Sequence, residues 1–319
     1  MGKPARIFGL TAAFIGLVLA SSTSVSAGGL SPVAPRQAIR TVASTHAAAA
    51  PMKHVRTVHA LPGAFLAKPG GYTIVFSVAV TAPALAQTFA SLTCPVKKGV
   101  QTVPLDGGAE IVSSSVVANV NSSYPGSDGK SWDVYVNNGT SSSTTFNVYA
   151  VCAKKLKNYV QRVSVLEPNP AGTESGYFFA CPTGDVIIGG GALSTSGATS
   201  VNLGGDFPSG VNSWEIFVNN ASGVDASVTI YQICATNTSK LRWNSQATSG
   251  LLDAAGTEQA ETEFCPVGWS VLGGGVQTNT GLTSVNINST FPEAGAWRIF
   301  ENNASSFNVD LTAYALCGT

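Results

Sequence analysis

One heptapeptide pattern occurs three times in this chain and constrains its fold more than any other feature. The copies are WDVYVNN at 132–138, WEIFVNN at 214–220 and WRIFENN at 297–303. Each copy follows a segment that starts with Cys-Pro and contains adjacent glycines, and each precedes a segment that ends in a second cysteine. Recurrence on this scale indicates a structural repeat, and we predict three copies of a unit of about 84 residues.

The residues within each unit favour β-structure. Short segments of alternating polar and apolar residues are separated by turn-forming residues, and each unit is predicted to hold six strands. We therefore predict an all-β fold of three tandem, disulfide-closed, β-sandwich-like repeats: repeat one (71–156), repeat two (157–238) and repeat three (239–319). The short joins between repeats equally permit an alternative, a single closed body with three-fold pseudosymmetry, such as a β-prism.

The six cysteines fall two to a repeat, in equivalent places. Equivalent cysteine pairs in a secreted chain indicate disulfides. The pairing that gives every repeat the same bridge is Cys94–Cys152, Cys181–Cys234 and Cys265–Cys317. A zinc site is not expected, because no Cys-x-x-Cys pair occurs and the histidines lie outside the repeats.

The N-terminal segment has the pattern of a signal peptide. Lys3 and Arg6 precede an apolar run, and Val25-Ser26-Ala27 predicts cleavage before Gly28, which gives a signal peptide at 1–27 and a secreted protein. Residues 28–70 are basic and rich in Ala and Pro, and we predict a flexible leader. The uncharged run that starts at Tyr72 aligns with strands of the other repeats, so no transmembrane segment is expected after cleavage.

Alternation along the heptapeptide separates its residues between two faces of a strand. The tryptophan face is predicted to lie in the core. The other face places an aromatic ring between a charged residue and an amide, a composition that suits sugar binding. The predicted ligand-binding residues are Tyr135, Phe217, Phe300, Asn137, Asn219 and Asn302. In the alternative interpretation, these rings pack against a neighbouring sheet or repeat.

Two further motifs receive structural predictions. The second asparagine of each pair opens an N-x-S/T sequence, and we assign it to the turn after the strand. The glycine triplets at 189–191 and 273–275 lack the Lys-Ser/Thr of a phosphate-binding loop, and we predict a bulge or a close approach of two backbones there.

The repeats lack the residues that most enzymes require. His46, His54 and His59 all lie in the leader, so the repeats contain no His-based triad or metal site. No acidic residue recurs at one position in all three copies. We expect no enzymatic activity, no metal and no cofactor, and the net acidic charge of the repeats argues against nucleic-acid binding.

The pattern Cys-Pro-x-Gly, Gly-Gly-Gly, Asn-Asn, Tyr-Ala-x-Cys resembles repeats in uncharacterised secreted proteins of actinomycete-like bacteria. The resemblance covers 71–319 and is strongest at 265–319, whereas repeat one departs from the pattern at Lys97–Val100 and at Asp106. It implies a bacterial extracellular setting and supplies no activity.

The sequence thus predicts a secreted, non-catalytic binding module for a glycan or cell-wall polymer, which acts through the repeated aromatic residues. Three sites on one chain gain avidity when a polymer engages them together. The alternative function is a structural envelope or matrix protein that self-associates through the same surfaces.

Overall fold

The computed structural model describes residues 55–58, 65–67, 71–236, 243–278 and 280–319. Throughout these ranges the regular structure consists of β-strands, which confirms the all-β class. The predicted signal peptide at 1–27 lies outside the described residues. The described part of the chain has no helix with the length and apolar character needed to cross a membrane.

Two strands precede repeat one, and nine lie within it. The leader contributes β1 (Val55–Val58) and β2 (Phe65–Ala67). The strands of repeat one are β3 (Thr73–Phe76), β4 (Val80–Ala82), β5 (Ala86–Thr93), β6 (Val96–Lys97), β7 (Val100–Gln101), β8 (Val103–Ile111), β9 (Ala118–Pro125), β10 (Ser131–Asn138) and β11 (Thr144–Ala153). The insertion after the first cysteine of repeat one forms the extra hairpin β6–β7.

The other two repeats follow the predicted order of six strands, with the leading strand of repeat two broken in two. Repeat two contains β12 (Val160–Val163), β13 (Glu167–Asn169), β14 (Thr173–Ala180), β15 (Asp185–Ser194), β16 (Val201–Pro208), β17 (Ser213–Asn220) and β18 (Ala226–Thr236). Repeat three contains β19 (Trp243–Asp253), β20 (Thr257–Phe264), β21 (Ser270–Thr278), β22 (Val285–Glu293), β23 (Ala296–Asn303) and β24 (Val309–Gly318).

Each of the three large sheets combines strands of two repeats. Sheet 1 has the order β1-β5-β10-β9-β15-β18-β12 and joins repeats one and two, with β13 also paired to β18. Sheet 2 has the order β2-β3-β11-β8-β22-β23-β20 and joins repeats one and three, with β4 also paired to β11. Sheet 3 has the order β14-β17-β16-β21-β24-β19 and joins repeats two and three. The prediction of three separate tandem sandwiches is therefore wrong, and the sharing agrees with the alternative, one closed body with three-fold pseudosymmetry.

The repeats meet at three equivalent strand pairs. Ser123 pairs with Ala192 in sheet 1, Asp206 with Val276 in sheet 3, and Thr290 with Ala109 in sheet 2. The strands β9 and β16 are buried along their entire length, and β22 is buried at all positions except Glu293. These strands are rich in Asn, Ser and Gly, so many of their buried positions carry a polar side chain or none.

The glycine triplets lie beside these strands, where two backbones approach closely, as the sequence predicted. The strand pairing shifts register beside Gly189 and Gly273, which confirms the predicted bulges. The buried Trp132, Trp214 and Trp297 cover the middle glycine of each repeat and confirm the tryptophan face as core. Their indole N–H groups donate to Ser123 Oγ (2.9 Å), to Asp206 Oδ1 and to Thr290 Oγ1 (2.8 Å).

Asp106 occupies the place that Gly189 and Gly273 hold in the other repeats. Its buried carboxyl accepts hydrogen bonds from Gly107 N (2.8 Å) and from Gly274 N of repeat three (3.0 Å). A Cβ atom at Gly189 or Gly273 would overlap this side chain. Burial, and then the nearby Asp206, raises the pKa of Asp106 well above its usual range.

Disulfides close each repeat with the predicted pairing: Cys94–Cys152, Cys181–Cys234 and Cys265–Cys317. Bridges over 52 to 58 residues stabilise each repeat by about 4 kcal/mol through chain entropy.

Two segments of the predicted leader form strands. The strand β1 pairs in parallel with β5, and β2 pairs antiparallel with β3. The segment predicted as a flexible leader thus contains strands at 55–58 and 65–67. Backbone hydrogen bonding overrides the weak local pattern here, because the edges of β5 and β3 offer unpaired backbone groups.

Candidate functional site

Rows of aromatic rings cross the three sheets on the face opposite the tryptophans. Sheet 1 carries Phe89, Tyr135, Tyr124 and Tyr231; sheet 2 carries Phe76, Tyr149, Phe291 and Phe300; sheet 3 carries Phe217, Phe207 and Tyr314. In each row, two rings from flanking strands contact each other over a glycine, at centroid distances of 4.9 to 5.3 Å. The glycine is the third of a triplet (Gly191 and Gly275) or its equivalent in repeat one (Gly108). The glycine leaves the space in which rings from the two flanking strands come into contact.

The predicted binding rings lie within these rows, but they do not present free flat faces. Tyr135 stands between Phe89 (4.8 Å) and Tyr124 (6.5 Å) and is only 8% exposed. Phe217 and Phe300 are half-buried, and each stacks on a neighbouring ring. The prediction of flat sugar platforms is wrong in this respect, because rings at matching positions on adjacent strands stack on one another.

The predicted ligand-binding amides Asn137, Asn219 and Asn302 are fully buried and connect one repeat to the next. Asn137 Nδ2 donates to Val201 O (2.8 Å) of repeat two, and Asn219 Nδ2 donates to Val285 O of repeat three. Asn302 Nδ2 donates to Ala118 O (3.0 Å) and Asn119 Oδ1 (2.8 Å) of repeat one. Their assignment as ligand-binding residues is therefore wrong: they form a cyclic set of clamps between repeats.

The second asparagines make the predicted turns. Asn138 Oδ1 accepts Thr140 N (3.0 Å), and its Nδ2 donates to Ser142 O (2.8 Å). Asn220 and Asn303 make the same two bonds with the residues two and four positions further along the chain. These side chains stabilise the compact turn between β10 and β11. The turns between β17 and β18 and between β23 and β24 are stabilised in the same way.

The clamp assignment predicts the behaviour of Asn302→Ala. The substitution leaves Ala118 O and Asn119 Oδ1 without this buried donor, and we expect the free energy of unfolding to fall by about 2 kcal/mol. Denaturant unfolding under non-reducing conditions measures the change. Asn308→Ala is the control, because the exposed Asn308 side chain makes a single hydrogen bond within the described residues, in which its Oδ1 accepts from Ala255 N (3.1 Å). Unchanged stability of Asn302→Ala would contradict the clamp assignment.

The charged residue beside each predicted ring has a different environment in each repeat. Asp133 Oδ1 accepts hydrogen bonds from Ser91 Oγ (2.5 Å) and Ser131 Oγ (3.2 Å). Arg298 pairs with Glu293 (3.1 Å) and lies 4.9 Å from the centroid of the Phe300 ring. The carboxylate of Glu215 has no hydrogen-bond partner among the described residues, although burial raises its pKa above its ordinary value. Of these three groups, Glu215 is therefore the one available to bind a ligand.

Glu215 borders an open cleft of about 340 Å³ on sheet 3, here called the Glu215 cleft. The Phe207 ring and the half-buried Tyr314 ring form one side, and the loop Pro208–Gly210 forms another. Tyr314 Oη donates to Gln277 Oε1 (2.8 Å), which holds the amide of Gln277 at the cleft. Phe217 does not line the cleft, but it stacks on Phe207 at 6.0 Å.

The prediction from sequence missed Tyr314 and Gln277. A tyrosine stands three residues before the second cysteine in every repeat, as Tyr149, Tyr231 and Tyr314. That recurrence was a usable signal, because it marks a position on the same face as the predicted rings. No comparable sequence pattern marks Gln277, because its position at the cleft depends on the hydrogen bond with Tyr314.

In the described part of the chain, no three His, Cys, Asp or Glu residues are arranged to hold a metal ion. Comparison with protein-family models and with curated proteins found no match.

Proposed function

We propose that this chain is a secreted, non-catalytic binding protein for extracellular glycans, with the Glu215 cleft as its main site. The observation that carries the proposal is the available Glu215 carboxylate beside the rings of Phe207 and Tyr314. A carboxylate accepts hydrogen bonds from sugar hydroxyl groups, while aromatic rings contact the apolar C–H faces of a sugar.

The cleft has the size and chemistry that this ligand class requires. Its volume of about 340 Å³ lies in the range of small-molecule sites, and its open side leaves a polymer room to continue past it. Three disulfides suit an extracellular protein, and they agree with the signal peptide expected from the sequence.

Glu215→Gln and Tyr314→Ala test this site. We expect each to weaken glycan binding at least about tenfold, because one removes the charged acceptor and the other removes a ring and its bond to Gln277. Glycan arrays and pull-down on purified cell wall measure binding, with light scattering for the state of assembly.

Tyr149→Ala is the matched control for Tyr314→Ala. Tyr149 is also half-buried and stacked on a phenylalanine, but its hydroxyl donates to Glu110 Oε2 (2.6 Å) on sheet 2. Equal loss of binding in both variants would contradict the assignment of the Glu215 cleft. Loss of self-association without any glycan ligand would favour the structural alternative.

A further inference from the structure

A second open cleft, of about 470 Å³, lies beside the disulfide of repeat one and is lined by lysines. One pair of lysines comes from the hairpin β6–β7 and the other follows β11. The residues that define this lysine cleft are Tyr72, Lys97, Lys98, Lys154, Lys155 and Leu156.

The disulfide explains why the two lysine pairs lie together. Lys97 follows Cys94 by three residues, and Lys154 follows Cys152 by two. The Cys94–Cys152 bridge therefore fixes the bases of both segments. Lys98 and Gly99 have φ angles of 50° and 76°, which is the geometry of a tight two-residue hairpin turn. The turn orients the hairpin with little backbone freedom.

The concentration of positive charge is local and unusual for this chain. Residues 71–319 contain 10 Lys and Arg but all 17 acidic residues, and four of those lysines line this cleft. No carboxylate lines it. The described residues contain one ion pair, Arg298–Glu293, so none of the four ammonium groups is neutralised by a described carboxylate. Burial also lowers the pKa of Lys97 from its ordinary value.

The fold does not require this cluster. Repeats two and three have the short turns Pro182–Asp185 and Pro266–Trp269 where repeat one inserts its hairpin. Both repeats nevertheless form the same sheets and the same disulfide. Four like charges around one cleft repel one another, and an anionic ligand would remove that repulsion.

We propose that the lysine cleft binds an anionic ligand with two or more phosphate groups. Lysine ammonium groups bind phosphate oxygens as point charges, and four of them around one cleft can contact more than one phosphate group. The cleft contains four lysines and no arginine. Its volume accommodates a condensed phosphate or a short length of a phosphodiester polymer.

Titration calorimetry of the full chain with tripolyphosphate tests the proposal. We expect binding that weakens with added salt, and a dissociation constant about tenfold higher for Lys154→Ala or Lys97→Ala. Lys130→Ala is the matched control, because it removes the same charge from a turn outside this cleft. All three variants replace side chains outside the core, and thermal unfolding verifies that they fold.

Two further probes identify the source of the phosphate. Tighter binding of poly(glycerol phosphate), lost with the same lysines, assigns the cleft to a phosphodiester polymer, and preference for tripolyphosphate assigns it to a small condensed phosphate. Equal affinity for polyglutamate would overturn the phosphate assignment. Equal effects of Lys154→Ala and Lys130→Ala, or no binding of tripolyphosphate, would overturn the site itself.

Discussion

Gly275→Ala is expected to lower the free energy of unfolding by about 3 kcal/mol or more, the largest effect of any substitution considered. A Cβ atom on Gly275 would overlap the backbone carbonyl oxygen of Asp206, on the adjacent strand of another repeat. The clash is with backbone rather than with a flexible side chain, so a change of rotamer cannot relieve it. The new methyl group would also separate Phe207 from Tyr314, which meet across this glycine.

Guanidinium unfolding followed by tryptophan fluorescence, with the disulfides intact, measures this loss. Gly223→Ala is the control, because the exposed Gly223 does not have a positive φ angle, and a Cβ atom added there would have no atom of the described residues within 4 Å. We expect it to change stability by less than about 0.5 kcal/mol. Equal stability of the two variants would show that repeats two and three do not pair through Gly275.

Glu301→Val is expected to stabilise the protein by about 2 kcal/mol at pH 8, because it removes an unsatisfied buried carboxyl. Both Glu301 oxygens are buried and have no hydrogen-bond partner among the described residues, and the equivalent residues Val136 and Val218 are apolar. Burial, followed by the charge of Asp253, raises the pKa of Glu301 well above its usual range.

The sign of the pH dependence follows from this shift. Between the unfolded-state pKa near 4 and the raised folded-state pKa, the folded protein binds one more proton than the unfolded chain. Stability therefore falls as the pH rises through this window, by about 1.4 kcal/mol per pH unit for each such group. Burial shifts the pKa values of Asp106 and Asp206 in the same direction and adds to the slope.

Denaturant unfolding between pH 5 and pH 9 tests the assignment of Glu301. The stabilisation by Glu301→Val should grow with pH, and Asp310→Val, at an exposed position of the next strand, is the control for replacing an acidic residue by valine. A gain independent of pH would show that Glu301 is ionised in the folded state.

The sequence was sufficient to predict features internal to one repeat. Equivalent positions determined the pairing of Cys94 with Cys152, and alternation correctly placed Trp132 in the core. The same alternation placed Asn137 on the opposite face, but it could not show that repeat two covers that end of the strand. Pairing between repeats depends on contacts such as Ser123 with Ala192, which no periodicity within one repeat encodes.

The candidate site was predictable in part for the same reason. Glu215 and Phe217 lie in the recurring heptapeptide, so comparison of the three copies drew attention to them. The cleft itself forms where repeat two meets repeat three, since Glu215 and Tyr314 belong to different repeats. Its recognition required knowledge of which repeats share a sheet.

The presence of Asp106 in one repeat only means that three identical subunits could not form the same structure. Three copies of repeat one, assembled as a symmetric homotrimer, would bring three aspartates to a place where Asp106 already fills the space beside Gly189 and Gly273. Identical subunits would have to keep glycine there in every copy. Covalent fusion of the three units removes that restriction, because one copy can carry an aspartate at this position while the other two keep glycine. The same freedom lets repeat one alone carry its lysine hairpin.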